Sequence, residues 1–224
     1  MNSALLFSGG KDSCYALFKA KKNDEIKCLI SLKSENDSYM FHYPNIDLVK
    51  IQAKLLDIPL IFKRTNNKNE LKDLKKMLEL AKKKYQIKAV YSGALASNYQ
   101  REKIKKICDD LNLKSINPLW NINPVKYLNE LIKNKFKIII TGIAADGLTK
   151  EILGKEINKE MIDKLIKINE KNKMNIHLEG GEGETFVIDC PIFNKKIKID
   201  KAEIKMENEC TGRYDIKKIS LIKK

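Results

Sequence analysis

The stretch from Ser8 to Ser13, Ser-Gly-Gly-Lys-Asp-Ser, holds residue types that bind phosphate groups. It follows a short apolar run and precedes apolar residues at helical spacing, which predicts a turn between a strand and a helix N-terminus. Gly9 and Gly10 let backbone N–H groups converge on an anion, and the helix dipole places its positive end there. The two serine hydroxyls are further donors. The alternative interpretation is an ordinary strand–helix turn.

The spacing around Lys11 excludes two common nucleotide-binding loops. A Walker loop has one glycine directly before the lysine, another six positions before it, and a Ser or Thr after it, whereas here Leu5 stands six positions before Lys11 and Asp12 follows it. A dinucleotide fingerprint needs three glycines in the pattern G-x-G-x-x-G, which the stretch also lacks. The predicted loop is therefore of another phosphate-binding type.

A second cluster follows the predicted fourth strand. Ser97 is a suitable N-cap for the next helix, which places Gln100 and Arg101 in its first turn. A cation is unfavourable at a helix N-terminus, so the position of Arg101 indicates an anion lying between the guanidinium and the helix. The alternative is a surface arginine.

Glu182 and Glu184 alternate with glycines just before a predicted strand. Such a pair is too polar for a core and does not form a helix face. The two carboxylates can hold Mg²⁺ on phosphates, attract ammonium or a quaternary ammonium group, or act as a general base on an incoming amine. A solvated acidic turn is the alternative.

Two isolated residues have both functional and structural interpretations. His42 lies among aromatic residues in a predicted loop after the second strand and can contact a nucleotide or substrate, or be a satisfied structural histidine. Trp120 can stack on a ligand or pack at a domain junction.

The elements that must position these residues change in type along the chain. Strands predicted at 4–7, 27–32, 60–64, 89–92 and 114–117 alternate with helices at 11–22, 46–56, 69–85 and 97–111, which predicts a doubly wound α/β domain with a parallel sheet. After a proline-bracketed passage, a helix at 125–134, a strand and a helix at 158–173 lead to consecutive strands from Thr185 onward. We therefore predict a doubly wound domain over 1–124, which carries the predicted phosphate loop, and a smaller α+β domain over 125–224.

Composition limits the classes of protein further. The 224 residues carry a formal charge of +15, nearly all from lysine. This charge indicates either a solvated lysine surface or a polyanionic partner such as RNA. The sequence contains no apolar run of about 20 residues and no signal-peptide pattern, which predicts a cytoplasmic protein without a membrane anchor. Five scattered cysteines argue against structural zinc and disulfides, and the oligomeric state stays open.

The loop sequence FSGGKDS resembles the pyrophosphate-binding loop of the N-type ATP pyrophosphatases, which cleave ATP between its α and β phosphates. Within that superfamily the chain resembles the diphthine–ammonia ligase family. The matching stretches lie in family order along nearly the whole chain: DSYMFHYPN at 37–45, SGALASNYQREKIKKICDDLNL at 92–113, PLW at 118–120, ITGIAADGL at 140–148 and EGGEGETFVIDCPIF at 179–193. The aromatic residue of the family's acidic motif is replaced by Gly183.

The resemblance implies an ATP-dependent ligase that adenylates the carboxylate of diphthine on elongation factor 2. Ammonium then forms the amide of diphthamide, and AMP and pyrophosphate are released. Mg²⁺ is the implied metal, with Asp12 as its protein ligand. The implied site residues fall into three sets. The nucleotide is bound by Ser8, Gly9, Gly10, Lys11, Asp12, Ser13, Gly93, Ser97, Gln100 and Arg101; the acceptor substrate by His42, Trp120, Glu182, Glu184 and Thr185; and catalysis involves Lys11, Asp12, Arg101, Glu182 and Glu184.

Two other functions fit the same loop. The charge of +15 fits a tRNA-modifying adenylating enzyme of the same superfamily, for which nucleic acid is the partner. A non-catalytic adenine-nucleotide-binding protein that has kept the fold is the other.

Overall fold

The structure is a computed structural model that describes residues 1–34, 45–66 and 68–224. It contains two compact units, Met1–Asn121 and Ile122–Lys224. Each unit has its own sheet.

The first unit is built on a five-stranded parallel sheet in the order β3-β2-β1-β4-β5. Its strands are β1 (Asn2–Leu6), β2 (Glu25–Ser34), β3 (Leu60–Thr65), β4 (Ala89–Tyr91) and β5 (Lys114–Ile116). The chain moves outward from β1 to β3, then crosses back to place β4 on the other side of β1. In an open parallel sheet, ligands bind beyond the carboxyl ends of the strands at such a switch point. The segments after β1 and β4 flank it.

Four helices connect these strands: α1 (Lys11–Ala20), α2 (Val49–Leu56), α3 (Glu70–Tyr85) and α4 (Asn98–Asp110). A 3₁₀ turn, Ile46–Leu48, leads into α2. Apolar residues of α3 and α4 bury Ile30 and Val90 on one face of the sheet. Leu5 and Leu29 alternate to the opposite face and are fully buried as well. Both faces of the sheet are therefore covered, as in a doubly wound fold.

The second unit has an antiparallel sheet in the order β7-β6-β9-β8. Its strands are β6 (Lys137–Ala144), β7 (Gly183–Asp189), β8 (Lys196–Met206) and β9 (Thr211–Ile222), and its helices are α5 (Pro124–Lys133) and α6 (Lys159–Asn172). Asn123 caps α5, with Pro124 as its first residue, and Asn158 caps α6. The two helices contact each other.

The predicted fold class is confirmed. The strands and helices lie within about two residues of the predicted bounds at most ends. One difference concerns the acidic stretch: β7 begins at Gly183 rather than at Thr185, so Glu184 is a strand residue. The expectation that both glutamates lie on turned backbone before the strand is therefore wrong for Glu184. Among the described residues, no helix is both long and apolar enough to cross a membrane.

Candidate functional site

The turn between β1 and α1 has a backbone shape that requires glycine. Gly9 has a φ of +79°, and a Cβ built there would lie 2.2 Å from Oε1 of Gln52. Gly10 is the N-cap of α1 and has no side chain to satisfy the amides of the first turn. The first-turn amides and the positive end of the helix dipole therefore meet at one point, which is the arrangement of an anion site.

The two serines of the loop contact each other. Their Oγ atoms lie 3.1 Å apart. The backbone N–H of Ser8 donates to Oγ of Ser13 at 3.2 Å, and the N–H of Gly10 reaches Oγ of Ser8 at 3.4 Å. The structure thus brings both hydroxyls predicted to bind a nucleotide to the same side of the loop.

Lys11 and Asp12 form an ion pair at the start of α1. Nζ of Lys11 lies 2.7 Å from Oδ2 of Asp12. The lysine residue is 1 % exposed, whereas 28 % of the aspartate side chain is exposed. A buried ammonium needs such a partner, because an isolated charge in the interior is very costly. Asp12 therefore offsets the charge of the buried lysine, while the aspartate side chain stays partly exposed.

Gly93 lies directly against the loop. A Cβ built on Gly93 would be 2.7 Å from the carbonyl carbon of Asp12 and 2.8 Å from the backbone nitrogen of Ser13. The segment after β4 thus packs on the first turn of α1, as expected for two segments that flank the switch point of the sheet. The structure brings Gly93 together with the residues of the predicted phosphate loop.

The first turn of α4 has the predicted cap. Oγ of Ser97 accepts the backbone N–H of Gln100 at 3.4 Å, and the N–H of Arg101 donates to the carbonyl of Ser97 at 3.1 Å. The guanidinium carbon of Arg101 lies 3.9 Å from the centre of the Trp120 ring. The N–H of Asn121 also donates to the carbonyl of Leu95 at 2.8 Å, which ties the segment after β5 to the segment before α4.

The acidic residues of the second unit occupy two kinds of backbone. Glu182 lies in the turn before β7, where its carbonyl accepts the N–H of Ala144 at 2.8 Å. Its Oε1 accepts the N–H of Asn175 at 3.3 Å, whereas Oε2 is buried and has no hydrogen-bond partner among the described residues. Glu184 and Thr185 lie within β7, and Glu184 is paired with Gly142 of β6.

The predicted site residue His42 falls at 35–44, outside the described residues. In the remainder of the chain that the structure describes, no group of three or more His, Cys, Asp or Glu side chains could hold a metal ion. Asp12 is the predicted metal ligand. Since Mg²⁺ is commonly held by one or two carboxylates, water and the phosphates of a substrate, this single carboxylate fits a metal that arrives with ATP.

Gln52 was not predicted as a site residue. It lies on α2, is 0 % exposed, and its Nε2 donates to the carbonyl of Gly9 at 3.0 Å. The available signal in the sequence was a polar residue on the same helix face as the apolar Val49 and Ala53, which the structure shows to be buried.

A parallel doubly wound sheet with a glycine loop at its switch point defines a class of α/β proteins that bind ligands at that edge. Comparison with known proteins gives the family. Residues 1–115 match the diphthamide synthase N-terminal domain, and residues 123–222 match the diphthamide synthase C-terminal domain. The chain therefore belongs to the diphthine–ammonia ligase family.

Three relatives carry the name diphthine–ammonia ligase. The mouse protein is 34% identical over 93% of this chain and 86% of its own length, and the human protein is 32% identical over 91% and 85%. The fission yeast protein is 34% identical over 89% of this chain, which spans 36% of that longer relative. The predicted family is confirmed, and with it the enzyme class of ATP-dependent ligases.

One solved structure is also similar. It is described as a predicted subunit of tRNA methyltransferase from Methanocaldococcus jannaschii, and it aligns with a TM-score of 0.46 at 19% identity over 85% of this chain and 98% of that chain.

Proposed function

We propose that this chain amidates the carboxylate of diphthine on elongation factor 2, using ATP and ammonium. A carboxylate oxygen attacks the α-phosphorus of ATP, the bond to the β-phosphate oxygen breaks, and pyrophosphate leaves. Ammonia then attacks the acyl carbon, the bond to AMP breaks, and the nitrogen loses a proton to give the amide. The observation that carries this proposal is the anion-binding loop at Gly9 and Gly10, in a chain that belongs to this family.

In this proposal the loop binds the β and γ phosphates. The first-turn amides of α1 and the hydroxyls of Ser8 and Ser13 donate to the phosphate oxygens, which stabilises the charge of the departing pyrophosphate. The buried ammonium of Lys11 adds a positive charge behind these donors. This geometry favours cleavage between the α and β phosphates, because the leaving group is the part that is held.

Arg101 and Gln100 would act at the α-phosphate. Both lie at the N-terminal end of α4, whose dipole adds to the guanidinium charge. The Trp120 ring lies 3.9 Å from the guanidinium carbon, which restricts the orientations that the cation can adopt. Charge that develops on the α-phosphate during attack would then meet a fixed cation.

Mg²⁺ would be held by Asp12 and the phosphates. When bound, it would supply positive charge that offsets the charge of the phosphate oxygens. Asp12 has the exposed carboxylate face that such binding needs, and its other partner, Lys11, stays in place.

The second unit would bind the acceptor. Oε2 of Glu182 is a buried acceptor without a partner among the described residues, which suits a cationic group such as ammonium or the quaternary ammonium of diphthine. Glu184 and Thr185 extend this polar stretch along β7. His42 is assigned to the same substrate by the family resemblance. Since the acceptor is a translation factor, the proposal also places the reaction in the cytoplasm.

Pyrophosphate release tests the proposal. Purified protein is mixed with ATP, Mg²⁺ and ammonium, and with either diphthine-bearing elongation factor 2 or bulk tRNA. We expect release only with the modified factor, together with a mass decrease of about one unit on the factor as hydroxyl is replaced by amine. Stimulation by tRNA alone would instead identify a tRNA-modifying enzyme.

A pair of variants separates catalysis from simple binding. Asp12→Ala is expected to abolish pyrophosphate release, while Asp109→Ala, an exposed aspartate paired with Lys105 in the last turn of α4, should retain it. If neither wild type nor Asp12→Ala released pyrophosphate and both bound ATP equally, the chain would be a nucleotide-binding protein without ligase activity.

A further inference from the structure

Gln52 approaches the loop from another helix. It lies on α2, is 0 % exposed, and donates from Nε2 to the Gly9 carbonyl at 3.0 Å. The approach is so close that a Cβ on Gly9 would lie 2.2 Å from Oε1 of Gln52 and 3.2 Å from Cγ1 of Val49. A polar side chain buried on the inner face of a short helix and directed at one carbonyl indicates a specific task.

The orientation of the Gly9–Gly10 peptide follows from this hydrogen bond. The described chain has no cis peptide bond, and in a planar trans peptide the C=O and the following N–H point to opposite sides. Since the Gly9 carbonyl points at α2, the Gly10 N–H points away from α2. It does so toward Oγ of Ser8, at 3.4 Å.

That side of the loop holds the donors predicted to bind phosphate. Oγ of Ser13 lies 3.1 Å from Oγ of Ser8 on the same side. A flipped Gly9–Gly10 peptide would turn a carbonyl oxygen toward the anion in place of an N–H. Both residues are glycines, so side-chain sterics do not prevent the flip. The contact with Ser8 Oγ holds the N–H from inside the loop at 3.4 Å, and the shorter hydrogen bond from Gln52 holds the carbonyl from outside it at 3.0 Å.

We infer that Gln52 is a positioning residue, which locks the Gly9–Gly10 peptide with its N–H toward the phosphates of ATP. The inference rests on the proposed function for the identity of the ligand. In this role Gln52 acts through the loop backbone, by its hydrogen bond to the Gly9 carbonyl. Its hydrogen bond decides whether the loop presents a donor or an acceptor to the anion.

The test compares two ligands that carry phosphate groups with one that has none. Affinities for ATP, pyrophosphate and adenosine are measured by calorimetry for the full chain, wild type and Gln52→Met, which keeps the length of the side chain but cannot donate. We expect ATP and pyrophosphate to bind about tenfold more weakly to Gln52→Met, since loss of one hydrogen bond to a fixed polar group has about this effect. Adenosine affinity should stay within about twofold by the same scale.

Two further variants sharpen the result. Gln52→Glu places a carboxylate beside the Gly9 carbonyl, so it should weaken ATP binding more than Gln52→Met does. Leu55→Met, another buried position on α2, serves as the packing control and should change none of the three affinities. Thermal unfolding of each variant shows whether the fold is intact.

A merely structural role for Gln52 gives a different pattern. If Gln52→Met weakened ATP and adenosine in parallel, or weakened neither, the inference would be wrong. If wild type bound ATP and pyrophosphate but released no pyrophosphate with the modified factor and ammonium, the ligase proposal would fail while the affinity pattern still decided the role of Gln52. If wild type bound neither ATP nor pyrophosphate, both the ligase proposal and the inference about Gln52 would be wrong.

Discussion

The Arg101 guanidinium lies over the Trp120 ring, with 3.9 Å between the guanidinium carbon and the ring centre. The sequence indicated a nucleotide role for one residue and an acceptor role for the other. The two side chains are in contact, and both lie in the first unit, Met1–Asn121. The ring offsets the cost of keeping a cation in the first turn of α4.

We expect Trp120→Ala to lower kcat/KM for pyrophosphate release about 2- to 30-fold, because a cation–π contact is worth about 0.5–2 kcal/mol. The proposed cause is a guanidinium that no longer keeps one orientation. Trp120→Phe, which retains a ring, should lie between wild type and Trp120→Ala. Full activity of Trp120→Ala beside an inactive Arg101→Ala would show that the ring does not position the arginine.

Gly93→Ala should disturb the phosphate loop from outside. The added methyl group would meet backbone atoms of Asp12 and Ser13 at 2.7–2.8 Å, and a backbone cannot move aside as a flexible side chain can. We expect a loss of about 1–3 kcal/mol in the free energy of unfolding, measured by urea titration, and weaker ATP binding. Gly181→Ala is a useful comparison, since among the described residues no atom beyond the two chain neighbours lies within 4 Å of the added Cβ, and its φ of +99° opposes the change. Equal losses in ATP affinity for both variants would contradict the packing explanation.

Asp73 makes stability depend on pH in the acid range. The hydrogen bond from Lys63, at 2.6 Å, and that from Thr65, at 2.7 Å, hold the pKa of Asp73 below its usual value. A lowered pKa gives stability that is present above the unfolded-state pKa of about 3.9 and is lost as the pH falls through the folded-state pKa. Urea titrations should therefore show Asp73→Asn less stable than wild type by about 1 kcal/mol at pH 6, a modest value because Lys63 is partly exposed.

The same pair of proteins should converge in stability as the pH is lowered further, because the wild-type carboxyl is then protonated. Asp163→Asn, which breaks an exposed pair with Lys159 on α6, should change stability by no more than about 0.5 kcal/mol at any pH. A gap between wild type and Asp73→Asn that stayed constant down to acid unfolding would contradict a charge-dependent role.

The cysteines should differ sharply in reactivity. Burial raises the pKa of Cys28 to about 12, of Cys108 to about 11 and of Cys190 to about 12, so little thiolate is present near neutral pH. Cys14 is buried as well, whereas Cys210 is half-buried. We expect iodoacetamide at pH 8 to modify only Cys210 in the native protein and all five thiols in denaturant, as measured by mass spectrometry.

Cys210→Ala provides the control for this measurement. The native variant should take up no label on the timescale on which wild type is modified once. Rapid labelling of the variant at Cys28 or Cys108 would mean that the core of the first unit opens readily.

The sequence was sufficient for the elements and for the ends that have local signals. Ser97 caps α4 and Pro124 opens α5 as expected, because caps and first-turn prolines depend on residues near in sequence. The predicted phosphate loop was located in the same way. Its glycines and serines are adjacent, so their shared geometry follows from one turn.

Contacts between distant segments could not be predicted in this way. Lys11 is almost fully buried against Asp12, although lysine is usually exposed, and only the packing around α1 decides this. Gln52 reaches Gly9 across 43 positions of sequence. The start of β7 at Gly183 follows from pairing with β6, which a propensity for turns in a glycine-rich stretch does not reveal.

The hydrogen bond between the hydroxyls of Ser8 and Ser13 has a consequence for how tightly an anion can bind. The two side chains are held by each other and by the loop backbone, since the N–H of Ser8 donates to Oγ of Ser13 and Oγ of Ser13 donates to the carbonyl of Gly10. When a phosphate binds, this neutral hydrogen bond would be exchanged for several charge-assisted ones. The loop would lose little backbone entropy in the exchange. The free energy that ordering the two side chains would otherwise cost is thereby reduced, so that more of the interaction energy appears as affinity for the anion.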